Sequence, residues 1–172
     1  MENLVTLVDK NEFISEVESF IEKSVNAANS AVSSIVVVTY WNVGRMIVEE
    51  EQNGKSRAEY GKQIIQQLSE RLTRKYGNNY SKRNLQYYRK FYQCFNDLEI
   101  VNTCVHNLNW SHFRRLLSVT SDDARIWYTK EACEQMWSVR TLDRNIATQY
   151  YERLLLSPDM LCHLSMTKQN LI

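Results

Sequence analysis

Apolar residues recur every three or four positions along most of this 172-residue chain, and that spacing predicts amphipathic α-helices. Residues 10–28 show it with Phe13 and Val17 on one side and glutamates elsewhere. Residues 33–52 are apolar over a much wider arc, which is typical of a central, mostly buried helix. We therefore predict two helices over these ranges, and Gly44 in the second predicts a close contact between helices.

The rest of the pattern predicts five more helices, at about 58–76, 82–95, 110–118, 122–136 and 139–156. Gly77 ends the first of them because glycine tolerates a left-handed conformation, and Ser81 is a suitable N-cap for the next. A helix, a short turn and a second helix form the outline of a helix-turn-helix. Residues 96–109 show no helical period, so we predict either the two short strands of a wing or a loop. N-caps are also expected at Asn109 or Ser111, at Ser121 and at Ser138.

Glycine (4) and proline (1) are scarce in the whole chain, which favours long helices because closed sheets need many turns. The predicted fold class is therefore mainly α. We expect a multi-helix domain with a helix-turn-helix-like unit, which is winged if residues 96–109 form strands. This domain is expected to occupy residues 1–156. Residues 157–172, which begin with Ser-Pro, are expected to be a tail or the start of a linker.

The sequence shows no targeting segment. The N-terminus lacks a basic region followed by an apolar stretch, so no signal peptide is predicted. The longest apolar run, residues 35–38, is far shorter than a bilayer span. The four cysteines are too widely spaced to suggest a disulfide framework and are interpreted as reduced thiols. These features predict a cytoplasmic protein with no membrane partner.

The net charge of +1 hides an uneven distribution. Residues 1–54 carry three cations against nine acids, a balance of −6, while residues 55–90 carry ten cations against two acids, a balance of +8. The remaining residues carry eight cations and nine acids, which gives −1. A basic middle segment creates a local field that attracts polyanionic partners.

The predicted helix over 82–95 concentrates this charge on one side. Leu85, Tyr88 and Tyr92 form its core side, and cations and glutamine occupy the other. Cations bind phosphate, and Gln and Arg can bind base edges in a major groove. The alternative is a solvated face, or one paired with the acids of the first segment. The candidate DNA-binding residues are Lys82, Arg83, Gln86, Arg89 and Lys90, supported by Arg71, Arg74, Lys75, Arg114 and Arg115.

Candidate catalytic and metal-binding groups are sparse. Cys104, His106 and His112 are too few and too scattered for a zinc site, which needs about four convergent ligands. We interpret His112 as the hydrogen-bonded histidine of a capped helix. No Gly-rich phosphate loop can be built, and Pro158-Asp159 is not followed by the acidic residue and lysine of a PD-(D/E)xK nuclease. We therefore predict no catalytic residue, cofactor site or metal site, and no enzymatic activity for this chain.

Several short motifs occur in a specific order over about residues 35–155. They are Tyr40-Trp41-x-x-Gly44, Tyr60-Gly61-x-x-Ile64, Tyr80-Ser81-x-x-Asn84-Leu85, Arg89-x-Phe91-Tyr92, Trp110-Ser111-His112, Trp137-Ser138-Val139-Arg140-x-Leu142 and Tyr151-Glu152-Arg153-Leu154. In this order they resemble the N-terminal domain of bacterial YhcG-type proteins, a family predicted to be PD-(D/E)xK nucleases. The resemblance implies a helical, winged-helix-like, DNA-binding domain that precedes a C-terminal nuclease domain. It carries over no catalytic residue, because this chain ends at Ile172, where the nuclease would begin.

The resemblance and the charge pattern lead to one functional expectation. We expect a DNA-binding domain that targets a C-terminal PD-(D/E)xK nuclease, joined in cis, to DNA in the bacterial cytoplasm. The alternative is a helical protein-interaction or oligomerisation domain that binds no nucleic acid. Formation of a homo-oligomer is left open by the sequence.

Overall fold

A computed structural model describes the backbone of residues 2–53 and 57–156, and the side chains of residues 11–52 and 63–156. These residues form helices joined by short turns, with no strand among them. The helices are α1 (Glu2–Asn53), α2 (Arg57–Tyr76), α3 (Lys82–Cys94), α4 (Leu98–Cys104), α5 (Trp110–Leu116), α6 (Asp122–Glu134), α7 (Val139–Ala147) and α8 (Tyr150–Leu155). The mainly α fold class is confirmed. The expected tail or linker over residues 157–172 lies outside the described residues.

Helix α1 is a single helix of 52 residues, so the prediction of two separate helices was wrong. The sequence between them contains serine, alanine, asparagine and valine but no Gly or Pro to stop the first helix. The Ser34 hydroxyl shares its single proton between the Ser30 carbonyl of the same helix, at 3.0 Å, and the Val105 carbonyl, at 2.9 Å. The joined helix has two unlike parts. From residue 11 to residue 29 every side chain except Ser19 is exposed, and we call this segment the arm.

The second part of α1 runs through the rest of the domain, which we call the body. Val37 and Ile47 are almost fully buried there, as predicted for a central helix. Two serine hydroxyls fix the point where the helix enters the body: Ser30 donates to the His106 carbonyl at 3.2 Å and Ser34 to the Val105 carbonyl at 2.9 Å. The arm therefore projects from a body that holds the rest of the helix.

Among the described helices, only α1 is long and apolar enough to cross a bilayer by length and composition. A third of its apolar window is buried inside the protein. One such helix does not by itself indicate a membrane span, because core helices of soluble proteins and signal sequences pass the same test of length and composition.

Gly44 brings α3 into close contact with α1, as predicted. A Cβ atom at Gly44 would lie 2.6 Å from the Tyr88 carbonyl carbon and 3.2 Å from the Tyr92 Cβ. The backbone of α3 and the Tyr92 Cβ, which is fixed to that backbone, cannot move aside without disturbing the packing. A second contact nearby is the hydrogen bond from Trp41 Nε1 to the Phe95 carbonyl, at 2.6 Å. The close approach at Gly44 and this hydrogen bond together place α3 directly against the second part of α1.

Aromatic rings fill the space between α1, α3 and α5. Tyr40 stacks on Tyr88 with ring centroids 4.0 Å apart, and Trp110 meets both rings edge-on. The Tyr88 hydroxyl donates to the Asn79 carbonyl at 2.7 Å, which ties α3 to the turn before it. The prediction that Tyr88 belongs to the core side of its helix is confirmed.

The connection from α2 to α3 is short, as the sequence predicted. Gly77 has φ 88° and ends α2, and a 3-10 turn over Asn78–Tyr80 leads to Ser81. Ser81 occupies the N-cap position of α3, but its hydroxyl makes no capping hydrogen bond. The helix, turn and helix are thus present, with α3 packed mainly on α1.

Residues 96–109 contain helix α4, so the prediction of a wing or a loop was wrong. Asp97 caps this helix through a hydrogen bond from the Glu99 amide, at 2.8 Å. The apolar residues of the segment are three or four apart, which is a helical period after all, and most are buried. They are Leu98, Val101, Cys104, Val105 and Leu108.

Three of the expected N-caps are formed, by Asn109, Ser121 and Ser138. The helix predicted over 139–156 is instead divided into α7 and α8 by Gln149, which has φ 50°. The Tyr128 hydroxyl occupies the break, where it accepts a hydrogen bond from the Tyr151 amide at 3.0 Å. A side chain from α6 thus satisfies a backbone group that a continuous helix would have paired internally.

Candidate nucleic-acid interface

A basic cleft of about 650 Å³ lies between α3 and α5. Its lining includes Ser111, Leu117, Ser118 and Val139. The residues that give the cleft its chemistry are Arg83, Tyr87 and Lys90 from α3, and Arg114 and Arg115 from α5. We use the term basic cleft for these five residues.

The helical repeat places these side chains in the cleft. Arg83, Tyr87 and Lys90 are four and three residues apart, so they form one stripe along α3. On α5, Phe113 and Leu116 are fully buried. Arg114 and Arg115, which lie between them in the sequence, therefore project to the surface beside that stripe.

Tyr87 lies between two of the arginines. The guanidinium carbon of Arg114 is 4.7 Å from the centre of the Tyr87 ring, and that of Arg83 is 5.9 Å away. Each contact is a cation–π interaction. Hydrogen bonding to Arg83, and then to Arg114, lowers the pKa of Tyr87 from its usual value. The ring thus lies within contact of two like charges at once.

The cleft keeps most of its positive charge. Arg115 pairs with Asp143 at 3.3 Å, but both side chains are about half exposed, and such pairs contribute little. No carboxylate on a described residue pairs with Arg83, Lys90 or Arg114. The alternative in which acids of the first segment neutralise the basic helix is thus seen for Arg89, which pairs with Glu51, but not for the cations of the cleft among the described side chains.

The other predicted cations of α3 lie outside the cleft. Lys82 and Gln86 are exposed on a neighbouring stripe of the same helix. Arg89 turns toward the end of α1, where its Nε donates to Glu51 at 2.7 Å. The predicted single face of α3 is thus divided, with Arg83 and Lys90 in the cleft and Arg89 in an ion pair.

The predicted cations of α2 lie elsewhere in the described structure. Arg71 lines a separate apolar groove between α1 and α2, together with Met46 and Leu68. Lys75 lies 5.0 Å from the centre of the Tyr76 ring, and Arg74 is exposed. The structure does not bring these three cations into the basic cleft.

The Trp110-Ser111-His112 motif positions the α5 wall of the cleft. His112 is buried; its Nδ1 accepts from the Asn109 amide at 3.2 Å and its Nε2 donates to the Trp137 carbonyl at 2.9 Å. Burial lowers the pKa of His112, so the neutral ring is favoured. The interpretation of His112 as a hydrogen-bonded structural histidine agrees with these contacts.

Sequence reasoning missed the role of Tyr87. The spacing of four residues between Arg83 and Tyr87 was visible in the sequence and is typical of a cation–π pair on a helix. The partner on the other side, Arg114, comes from a helix 27 positions further along the chain. Only the packing of α5 on α3 brings it to the ring.

Metal-binding and nucleophilic groups do not converge in the part of the chain that the structure describes. No three His, Cys, Asp or Glu side chains in those ranges are grouped so that they could hold a metal ion. Cys104 and Cys133 are buried neighbours, and burial raises the pKa of the Cys104 thiol to about 12. A thiol that stays protonated at neutral pH packs as a small apolar group and is a poor nucleophile.

Comparison with known proteins agrees with the motif order. The sequence pattern of the family described as DUF1016 N-terminal domain matches residues 16–153. The chain is 39% identical to the protein named Putative nuclease YhcG of Escherichia coli (strain K12), over 75% of this chain and 42% of that protein. It thus spans less than half the length of that relative, and no solved structure matches it. The chain therefore belongs to the DUF1016 N-terminal domain family, and its resemblance to the N-terminal, nuclease-associated domain of YhcG-type proteins is confirmed.

Proposed function

We propose that this domain binds DNA through the basic cleft, with α2 and α3 acting as a helix-turn-helix-like unit. The observation that carries the proposal is the convergence of four cations around Tyr87, of which only Arg115 has a described acidic partner. In the same proposal, the domain delivers a C-terminal PD-(D/E)xK nuclease of the same polypeptide to DNA in the cytoplasm.

Phosphate is the ligand that this arrangement fits. Arginine and lysine bind phosphate oxygens through charge-assisted hydrogen bonds, and fixed guanidinium groups lose less freedom when they do so. The ring of Tyr87 holds Arg83 and Arg114 in place before a ligand arrives. A sugar-phosphate backbone that follows the cleft would meet cations from both α3 and α5.

The remaining predicted residues would extend this contact. Lys82 and Gln86 are exposed beside the cleft and are suited to a neighbouring phosphate or a base edge. Arg71, Arg74 and Lys75 would contact flanking phosphates. Arg89 would contribute less, because a DNA contact competes with its ion pair to Glu51.

The name of the relative supports a nucleic acid as the ligand of this domain. The relative is named a putative nuclease, and this chain covers 42% of it. We place the catalytic groups of such a nuclease outside the residues of this chain. The chain itself is proposed to carry no catalytic, cofactor or metal site.

A salt titration tests the proposal. The 172-residue chain is titrated into a fluorescent duplex at several salt concentrations, and affinity is measured by anisotropy. Four phosphate contacts predict a slope of log K against log salt of about −3 to −4. The Arg83→Glu/Lys90→Glu double variant removes two of them, so we expect a slope of about −2 and affinity lower by at least about tenfold.

A matched control reverses two exposed cations away from the cleft, in the Lys130→Glu/Arg144→Glu variant. This control changes the net charge by the same amount, so any general electrostatic effect appears in both variants. Equal losses in the two variants, or no DNA binding by the wild-type chain, would contradict the proposal.

A second function, protein interaction or oligomerisation, is favoured by a different observation. The arm exposes Phe13, Phe20 and Ile21 by more than half of their surface. A chain that served only this function would bind no DNA and would show a mass that depends on concentration. Because the arm and the basic cleft are separate surfaces, the two functions are compatible.

A further inference from the structure

The arm exposes more apolar surface than a solvated helix needs. Large apolar side chains along one side of α1 are between 41% and 73% exposed. They are Phe13, Ile14, Val17, Phe20, Ile21, Val25, Val32 and Ile35. Contiguous exposed patches of this kind mark interaction sites on soluble proteins.

The spacing along this side is that of a helix that pairs with another helix. Positions that alternate three and four residues apart are apolar or small and uncharged from residue 14 to residue 38, which is a heptad repeat. They are Ile14, Val17, Ile21, Ser24, Ala28, Ala31, Ile35 and Val38. Glu12, Glu16, Glu22 and Lys23 lie on other sides of the helix, and Glu18 flanks the repeat. We call the repeat the pairing stripe.

We propose that a second copy of this chain lies antiparallel along the pairing stripe, so that the two arms form a helix pair. The proposal is independent of DNA binding, because it uses no residue of the basic cleft. The exposed area, the charge and the shape of the pairing stripe indicate that its partner is a second copy of this chain.

The area is sufficient for a stable dimer. The eight exposed side chains, four on the pairing stripe and four at positions that flank it, together offer on the order of 800 Å² of apolar surface, which is about what each partner buries in an interface of standard size. Burial of this surface stabilises association through the hydrophobic effect. A second identical arm supplies an equal surface with the same spacing.

The charge favours the antiparallel direction. The arm carries four glutamates against Lys23, a balance of −3. A parallel pair would set two such arms side by side, within the roughly 10 Å over which charges in dilute salt interact. An antiparallel pair instead lays residues 12–22, which carry the four glutamates of each arm, against residues 30–40 of the other copy, which carry no charge. Repulsion between the arms is then avoided.

The shape of the stripe agrees with that direction. Antiparallel pairing about its centre sets Ile14 opposite Val38, and Val17 opposite Ile35. Nearer the centre, Ile21 faces Ala31 and Ser24 faces Ala28. Large residues thus meet smaller ones, and small residues at the centre let the helices approach closely.

The body already offers a place for the end of a partner arm. An open groove of about 520 Å³ runs along α1 beside Ile35, Val38, Thr39 and Met46. Its exposed surface is mainly apolar. In the antiparallel pair, the end of the arm that carries Phe13 would lie in this groove.

A membrane surface is a poorer match for the arm. Amphipathic helices that lie on membranes carry lysine and arginine on their polar side, because the lipid headgroups are often anionic. The polar side of the arm is acidic.

Sedimentation equilibrium of the 172-residue chain tests the pairing. We expect a reversible monomer–dimer equilibrium, and we expect Ile21→Asp to raise the dissociation constant at least about 100-fold because both copies lose a buried side chain. The matched control is Asn26→Asp, which adds the same charge on the opposite side of the arm and leaves dimerisation unchanged. Circular dichroism checks that both variants keep the helical body.

Spin labels test the direction. Glu16→Cys is labelled in a chain in which Cys94 and Cys162 are replaced by serine. An antiparallel pair places the two labels about 30 Å apart or more, since twenty residues of helix separate them along the axis. A parallel pair would bring them within about 20 Å, because only the helix diameters intervene.

Three results would overturn the proposal. The first is a wild-type chain that stays monomeric, whether or not the arm then binds anionic vesicles. The second is an equal effect of Ile21→Asp and Asn26→Asp on the mass. The third is a short distance between the labels, which would show the parallel pair.

Discussion

Tyr87 and Tyr88 are neighbours in the sequence, yet they belong to different sides of α3. Tyr88 is stacked on Tyr40 inside the body, and burial raises its pKa. Tyr87 lies in the basic cleft between Arg83 and Arg114, which lower its pKa. A rotation of about 100° around the helix axis thus changes a core residue into part of a charged surface. Residue type alone does not determine which role a tyrosine has.

The two sides of α3 contribute to different properties, one to the stability of the body and the other to ligand binding. The side of α3 that carries Tyr88 packs against α1 and holds the body together. The side that carries Tyr87, a partly buried residue packed against the core, also lines the basic cleft and is available to a ligand there. We therefore expect substitutions on the first side to change the free energy of unfolding, and substitutions on the second side to change affinity for DNA.

The largest effect on the free energy of unfolding is expected at Gly44, where the buried side of α3 meets α1. Gly44→Ala places a methyl group 2.6 Å from the Tyr88 carbonyl carbon, so the two helices must separate. We expect the free energy of unfolding to fall by about 3 kcal/mol or more, because neither backbone can move without disturbing the packed rings. Urea denaturation followed by circular dichroism measures this change.

The control lies on the exposed side of α3. Gln86→Ala should change the free energy of unfolding by less than about 0.5 kcal/mol, since the side chain is exposed. A Gly44→Ala variant as stable as Gln86→Ala would show that α1 and α3 are not packed as closely as the structure describes.

Periodicity was enough to predict the buried side of α3, and composition was enough to predict the helical fold. Gly44 was identifiable because a glycine within an apolar helix usually marks a close contact. The join between the two predicted halves of α1 was missed because residues 29–32 favour neither a stop nor a continuation strongly. Helix α4 was missed because its apolar period is short and Asp97 was not recognised as its cap.

The candidate site was only partly predictable for a different reason. The stripe on α3 follows from spacing, so Arg83 and Lys90 were identified. The positions of Arg114 and Arg115 beside it depend on how α5 packs, which no local pattern encodes. The ion pair of Arg89 with Glu51 depends in the same way on where the long helix α1 ends.

A smaller effect on stability is expected at His112, which connects the α5 wall of the cleft to the body. Burial lowers the pKa of His112 in the folded protein, so the unfolded chain binds a proton more readily than the folded one. The stability that the neutral ring provides is complete above about pH 6.5, the usual pKa of histidine. It is lost as the pH falls through the lower pKa of the folded state.

The His112→Gln variant tests this pH dependence. We expect it to be less stable at pH 7 by about 1 to 3 kcal/mol, because buried hydrogen bonds are lost. We also expect its stability to fall less steeply than that of the wild type between about pH 6.5 and pH 5. His106→Gln, at an exposed position, is the control and should leave the wild-type slope intact. Identical slopes for wild type and His112→Gln would contradict the burial of the ring.

The smallest effect on stability, and the sharpest test of the comparison, is expected at Tyr87. Tyr87→Leu keeps an apolar side chain but removes the ring face that holds Arg83 and Arg114. Each cation–π contact at an exposed site contributes about 0.5 to 1 kcal/mol, so we expect affinity for duplex DNA to fall by about threefold to tenfold. The free energy of unfolding should fall by less than about 1 kcal/mol, because Tyr87 is only partly buried against the core and leucine keeps an apolar side chain there. Tyr87→Phe keeps the ring without the hydroxyl and should bind DNA nearly as well as the wild type. If Phe weakens binding as much as Leu does, the hydroxyl rather than the ring positions the arginines, and the cleft is organised by hydrogen bonds instead.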